Sequence, residues 1–171
     1  PLAAALEAAM QFVDLARPDD YLGLLLFDGV VAQRVPVCQL AARGKKAMTD
    51  ALQDVHTGRG TALFNAVDQG ARALHRVLVP GRKARLLLLT DGEPSVGPDT
   101  QTAFDDLGLA IARDNVSVHA LGLARHYVAE VLAALTLPSG NAFEHVDGPE
   151  GLAEAMGAVV TTLFGQVASN V

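Results

Sequence analysis

Short, almost continuous apolar runs alternate along this chain with segments whose apolar residues recur at helical spacing, and few folds accept that pattern. The runs are Tyr21 to Phe27 ("YLGLLLF"), Leu86 to Leu89, Val116 to Leu123 ("VSVHALGL") and the shorter Ala142 to Val146. Runs this apolar predict strands buried on both faces, as in parallel sheets. Val31 to Val37 also reads as a strand, but its interior Pro36 assigns it to an edge, hairpinned to the run before it across Asp28-Gly29. Between the runs, Leu2, Leu6, Met10 and Val13 mark a helix stopped by Pro18, and Met48, Leu52 and Val55 a second. Leu63 to Leu78 mark a third, ended by Pro80-Gly81, and Phe104, Leu107 and Ile111 a fourth. Residues 127–136 and the stretch from Leu152 to Val167 complete the set. Strand–helix alternation of this kind predicts an α/β fold: a doubly wound, Rossmann-like three-layer sandwich, its sheet mostly parallel with one antiparallel edge strand.

At 171 residues the chain is sized for one domain, taken to span 1–171. Half of the residues are hydrophobic, which argues against disorder, and the net charge of −6 argues against a nucleic-acid binder. The basic residues that do cluster, Arg72, Arg76, Arg82, Lys83 and Arg85, are expected to form a solvated face. No apolar run approaches the ~20 residues of a membrane span. A single cysteine, Cys38, excludes an intrachain disulfide and a thiolate zinc cluster. The five histidines share no short ligand spacing, so a zinc site is not expected, and His119 within a strand reads as a sheet residue.

Ligands of doubly wound folds sit beyond the carboxyl ends of the strands. The segments expected there are Asp28-Gly29, the "GRGT" loop (58–61), the "DGEPSVG" loop (91–97) and the loop after Leu121-Gly122. Thr61 has two readings. It can cap the helix that follows it, or its hydroxyl can join the Asp91 carboxylate around a hard cation such as Mg²⁺, which takes oxygen ligands and keeps several waters. Nothing in these loops supports catalysis: a phosphate-cradling GxxxxGK[ST] loop and a GxSxG nucleophile elbow are both missing, so no enzyme is expected.

The segments "YLGLLLFD", "GRGTALFNAV", "RLLLLTDGEPSVG", "VSVHALGLA" and "LPSGNAFEHVDGPEGLAEAM" resemble, in order and spacing, a von Willebrand factor type A (VWA) domain of the bacterial type. That resemblance implies a protein-binding module with a metal-ion-dependent adhesion site: a DxSxS motif after the first strand, a Thr in a GxT loop and an Asp in a TDG turn. Carried onto this chain, the Thr is Thr61 and the Asp is Asp91, with Gly60, Gly92, Glu93 and Asp28 as second-shell or rim residues. The implied cofactor is Mg²⁺ (or Mn²⁺ or Ca²⁺), and the implied partner is a protein supplying an acidic side chain to the metal. The expected binding rim is 56–60, 92–98 and 123–127.

The DxSxS motif has no match in these residues, and neither has the family's first, central strand. A sheet lacking its middle strand leaves ladder groups of both neighbours unpaired in the core. The chain therefore reads as excised from a longer protein, with "LFGQVASNV" (163–171) resembling the family's exit helix. Metal binding in this fragment is expected to be weak or absent. Two other readings stay open: a regulatory subunit or domain of an ATP-driven assembly, and a metal-independent scaffold.

Overall fold

A computed structural model describes residues 2–56, 58–123 and 126–165. In chain order the elements are α1 (Leu2–Leu15), β1 (Tyr21–Phe27), β2 (Val31–Gln39), α2 (Ala42–Gln53), α3 (Leu63–Val77), β3 (Ala84–Thr90), α4 (Gln101–Arg113), β4 (Val116–Leu123), α5 (Ala129–Thr136), β5 (Phe143–Val146) and α6 (Gly148–Gly165). The α/β class and the strand–helix alternation agree with the sequence pattern. The strands form two sheets: an antiparallel pair β1–β2 and a parallel sheet in the order β3-β4-β5.

The hairpin explains how Pro36 is tolerated. Leu22 pairs with Cys38 and Leu24 with Val35, so two residues of β2 oppose the single Gly23 of β1. Pro36 lies in that bulge, where no ladder donor is required. β1 differs from expectation. Among the described residues it pairs with β2, as the hairpin reading expects, but it is not buried on both faces: Tyr21 and Gly23 are exposed and the rest half-buried.

Helices cover both faces. On one, Leu63, Val67 and Ala71 of α3 pack with Phe104, Leu107 and Ile111 of α4 and with Leu132 and Leu135 of α5 against Leu88, Val116 and Val118. On the other, Ala8 of α1 joins Leu152 and Met156 of α6 over Leu121 and Leu123. The far side of α1 contributes Val13 to a third cluster with Val35, Met48 and Leu52. α1 thus touches the core of each sheet, and α3 contacts strands of both. The helix expected over 127–136 begins at Ala129, and the final one is described as far as Gly165; the expected continuation through Val167 lies outside the described residues.

The basic cluster is only partly a solvated face. Arg72 pairs with Asp68 on the surface, but Arg82 stacks over the Tyr21 ring at 4.6 Å and Arg85 donates to the Thr162 carbonyl of α6 at 3.2 Å. Partial burial pulls the Arg85 guanidinium below its ordinary pKa. His119, two residues beyond Arg85's register partner Ser117 on β4, is half-buried, and desolvation followed by the Arg85 charge holds its pKa below 6.5.

Two outcomes follow from this packing. A Cβ at Gly108 would run into the Ala134 carbonyl where α4 and α5 touch. Gly108→Ala should therefore lose about 1–3 kcal/mol in chemical denaturation, overriding the ~0.5–1 kcal/mol that alanine gains over glycine inside a helix. For His119, a depressed folded pKa means the unfolded chain binds the extra proton first. Its contribution is present above 6.5 and is lost as the pH falls below that value. The drop in Tm between about pH 7.5 and about pH 5 should be smaller in His119→Gln than in the parent chain.

Candidate functional site

β1 and β3 end at a common place. Asp28 follows β1, Asp91 follows β3, and the 58–61 loop lies between them, leading into α3. Backbone hydrogen bonds tie this loop to both neighbours. Gly29 N–H donates to the Arg59 carbonyl at 2.8 Å and Ala62 N–H to the Asp28 carbonyl at 2.6 Å. On the other side, Ser95 N–H and Val96 N–H both donate to the Thr61 carbonyl, at 3.0 and 3.3 Å, while Thr61 N–H donates to Ser95 Oγ at 2.9 Å.

Glycine permits the crowding. A side chain at Gly58 would occupy the place of the Asp28 carboxylate, and a Cβ at Gly92 would sit 2.8 Å from Thr61 Oγ1. The Thr61 hydroxyl therefore lies against the Gly92 backbone, next to Asp91. Thr61 does not cap the helix: Ala62 occupies the N-cap position, without a side-chain cap. The capping reading fails because the backbone turns one residue later than the sequence pattern placed it.

Asp91, Glu93 and Gly60 are exposed, and Asp28 and Thr61 are half-buried. Asp28 accepts the Val30 N–H at 2.8 Å through Oδ1, a local turn bond consistent with a supporting place. Among the described residues, no three His, Cys, Asp or Glu side chains converge as a metal-binding group. Thr61 and Asp91 offer one hydroxyl and one carboxylate at this edge, both hard oxygen donors of the kind Mg²⁺ takes. The donors fit such an ion, though few in number. Part of the rim is in view: His56 is exposed beside Asp54, while 57, 124 and 125 lie outside the described residues.

Two features escaped the sequence reading. Ser95, expected only as part of the 92–98 rim, is the side-chain bridge between the 58–61 and 91–97 loops. At the same sheet edge, beyond β4 and β5, Tyr127 Oη is 2.7 Å from His145 Nδ1 and His145 Nε2 is 3.0 Å from Asp147 Oδ1. The Tyr127 ring lies over Gly122, where any side chain would collide with it. Burial, then the Asp147 charge, raises the Tyr127 pKa. His145-x-Asp147 is a visible strand-end pattern, but Tyr127 is eighteen residues away and no periodicity links them.

The α/β fold defines a class of domain, and the comparisons with known proteins give it a family. The model of the von Willebrand factor type A domain matches residues 2–158, and the chain belongs to that family. The uncharacterized protein sll0103 of Synechocystis sp. is 25% identical over 152 residues, covering 87% of this chain and 34% of that protein. Among solved structures, a von Willebrand factor type A protein from Catenulispora acidiphila aligns with a TM-score of 0.82 at 17% identity, over 93% of this chain and 37% of that one. Proximal thread matrix protein 1 from the mussel byssus, solved with a zinc-occupied MIDAS motif, aligns with a TM-score of 0.76 at 15% identity, over 95% of this chain and 42% of that one. The chain thus spans about a third of the length of the first two relatives.

The Ser95 bridge makes a prediction of its own. Ser95→Ala removes the acceptor of the Thr61 N–H at an exposed site, so the stability loss should stay near 0.5–1.5 kcal/mol. Amide exchange at Thr61 should accelerate while exchange in β4 stays unchanged.

Proposed function

We propose that this domain is a protein-binding module whose contact is made through a divalent cation at the carboxyl edge of the sheet. The observation carrying this reading is the seating of the Thr61 hydroxyl against Gly92, beside the exposed Asp91 carboxylate. Thr61 and Asp91 would hold the ion, with Asp28 and the glycine loops fixing their positions and Glu93 on the rim. The ion would supply an electrophilic centre for an acidic side chain of a partner protein, a charge-assisted contact stronger than its neutral equivalent. The surrounding loops, 58–60 and 92–98, would supply the remaining contacts, with Val96 exposed among them.

Mg²⁺ suits these donors because it is content with few protein oxygens and several waters. Mn²⁺ and Ca²⁺ share the preference for oxygen. The zinc-occupied motif of the mussel protein makes Zn²⁺ the appropriate comparison ion. Two protein oxygens give a weak site, and the remaining ligands of the family motif have no counterpart among these residues.

Mn²⁺ titration followed by NMR line broadening tests the reading directly. Broadening should centre on Asp28, Gly60, Thr61, Asp91 and Gly92 and be reversed by excess Mg²⁺. Asp91→Ala should weaken it about tenfold or more, equivalent to about 1.4 kcal/mol. Thr61→Ala should have a smaller effect, since it removes a neutral ligand. Broadening centred elsewhere, or unchanged in Asp91→Ala, would overturn the assignment.

A further inference from the structure

The chain Tyr127–His145–Asp147 takes no part in the cation contact and has a geometry of its own. Register places it two strands from Asp91: Thr90 at the end of β3 pairs with Gly122 of β4, and Gly122 with His145 of β5. The Tyr127 ring is held from three directions. It lies over the Gly122 backbone, meets Phe143 edge-on at 5.9 Å between ring centroids, and tilts against the His145 ring at 5.6 Å. Its hydroxyl is thereby brought to 2.7 Å from His145 Nδ1. Tyr127, Ala129, His145 and Asp147 together line an open cleft of about 430 Å³.

The proton positions follow from the chemistry of the three groups. An ionised carboxylate can only accept, so the 3.0 Å contact between Asp147 Oδ1 and His145 Nε2 places the ring hydrogen on Nε2. Nδ1 of the neutral imidazole then carries the lone pair, and the Tyr127 hydroxyl donates to it. Burial, then the Asp147 charge, keeps the phenol protonated at neutral pH, so a reaction at Oη needs that proton removed. The group to take it is already in hydrogen-bonding contact, and a third group fixes that base in turn. Hydroxyl, base and orienting carboxylate in this order make an activated nucleophile. Of the elements packed on β5, β4 faces it with the uncharged Ala120 to Leu123. α5 and α6 carry Glu130, Glu150 and Glu154, all exposed, and His126 before Tyr127 is exposed as well.

We propose that Tyr127 is a His145-assisted nucleophile that takes up acyl groups from activated esters and thioesters. Tyr127 Oη attacks the carbonyl carbon while its proton passes to His145 Nδ1, and the imidazolium so formed faces the Asp147 carboxylate. The tetrahedral intermediate then expels the thiolate or aryloxide, which takes the proton from Nδ1. An O-acyl tyrosine and a free thiol or phenol result, with no change of oxidation state. His145 is the general base, and Asp147 is a positioning residue that holds the tautomer with Nδ1 free. Neither step needs a metal, so the proposal stands apart from the cation reading above.

The chain's only other tyrosine, Tyr21, is exposed beneath the Arg82 guanidinium and serves as an internal reference. The probe is 4-nitrophenyl acetate, added to the 171-residue chain in EDTA, with acetylation at each tyrosine read by peptide mass spectrometry. At about pH 7.5 Tyr127 should be acetylated about tenfold faster than Tyr21 or more, since general-base assistance is worth about 10²–10⁴-fold. Its rate should rise between about pH 5 and about pH 8 and then level, as an imidazole base requires, whereas a free phenol keeps climbing towards about pH 10. His145→Gln should bring Tyr127 down to the Tyr21 rate and remove the plateau, and Asp147→Asn should slow it about threefold or more. Tyr21 should be unchanged in both, and His126→Gln should alter neither tyrosine. Equal rates at the two tyrosines, a phenol-like climb with pH, acetyl retained on His145 instead of Tyr127, or a loss in His126→Gln equal to that in His145→Gln would each overturn the proposal. The rate ratio and the pH profile are read on the parent chain, so they decide the matter even where a variant fails to fold.

Discussion

The backbone of the 58–61 loop holds the domain's two halves in one frame. Among the described residues no strand pairing joins the hairpin to the parallel sheet; at the carboxyl edge the two are tied by the bonds from Gly29 to Arg59, Ala62 to Asp28, and Ser95 and Val96 to Thr61. A handful of hydrogen bonds contributes a few kcal/mol at most. They suffice because α1 and α3 bridge the same two sheets, burying apolar area on each. The loop sets register, and the helices supply the energy.

That division of labour places the chemistry. Once the loop is pinned from both sides, Thr61 has little freedom, and its hydroxyl meets Gly92 because glycine alone lets the two backbones approach. Acidic groups Asp28, Asp91 and Glu93 gather at this edge, whereas Arg82 and Arg85 are engaged at the opposite end by Tyr21 and the α6 backbone. The edge proposed to hold a cation is thus the one where these carboxylates lie. Membership of the von Willebrand factor type A family accounts for the fold, and the local geometry supports the proposed role of Thr61 and Asp91.

Some of this was legible in the residues. Pro36 marked an edge strand, and the hairpin with its bulge followed. Alternating apolar runs and helical periods pointed to the doubly wound class, and Asp91-Gly92 after Thr90 and Asp28 after Phe27 marked the strand ends of the proposed site. β1 and its hairpin were legible too, but its half-burial was not, because a leucine run reports apolar character and not how much of it is covered. The Tyr127–His145–Asp147 chain was invisible for a related reason: it joins residues from two strand ends that only the fold makes adjacent.

Taken alone, the sequence determined which segments become strands and helices, because period and punctuation act through neighbours a few residues apart. It also determined that a hydroxyl and a carboxylate would stand at strand ends. Only the tertiary structure decided that Thr61 faces the Asp91 turn instead of capping α3, and that Ser95 bridges two loops. Those outcomes depend on long-range backbone approach, governed by where glycines let loops touch. Nothing within a short window of the chain encodes that approach.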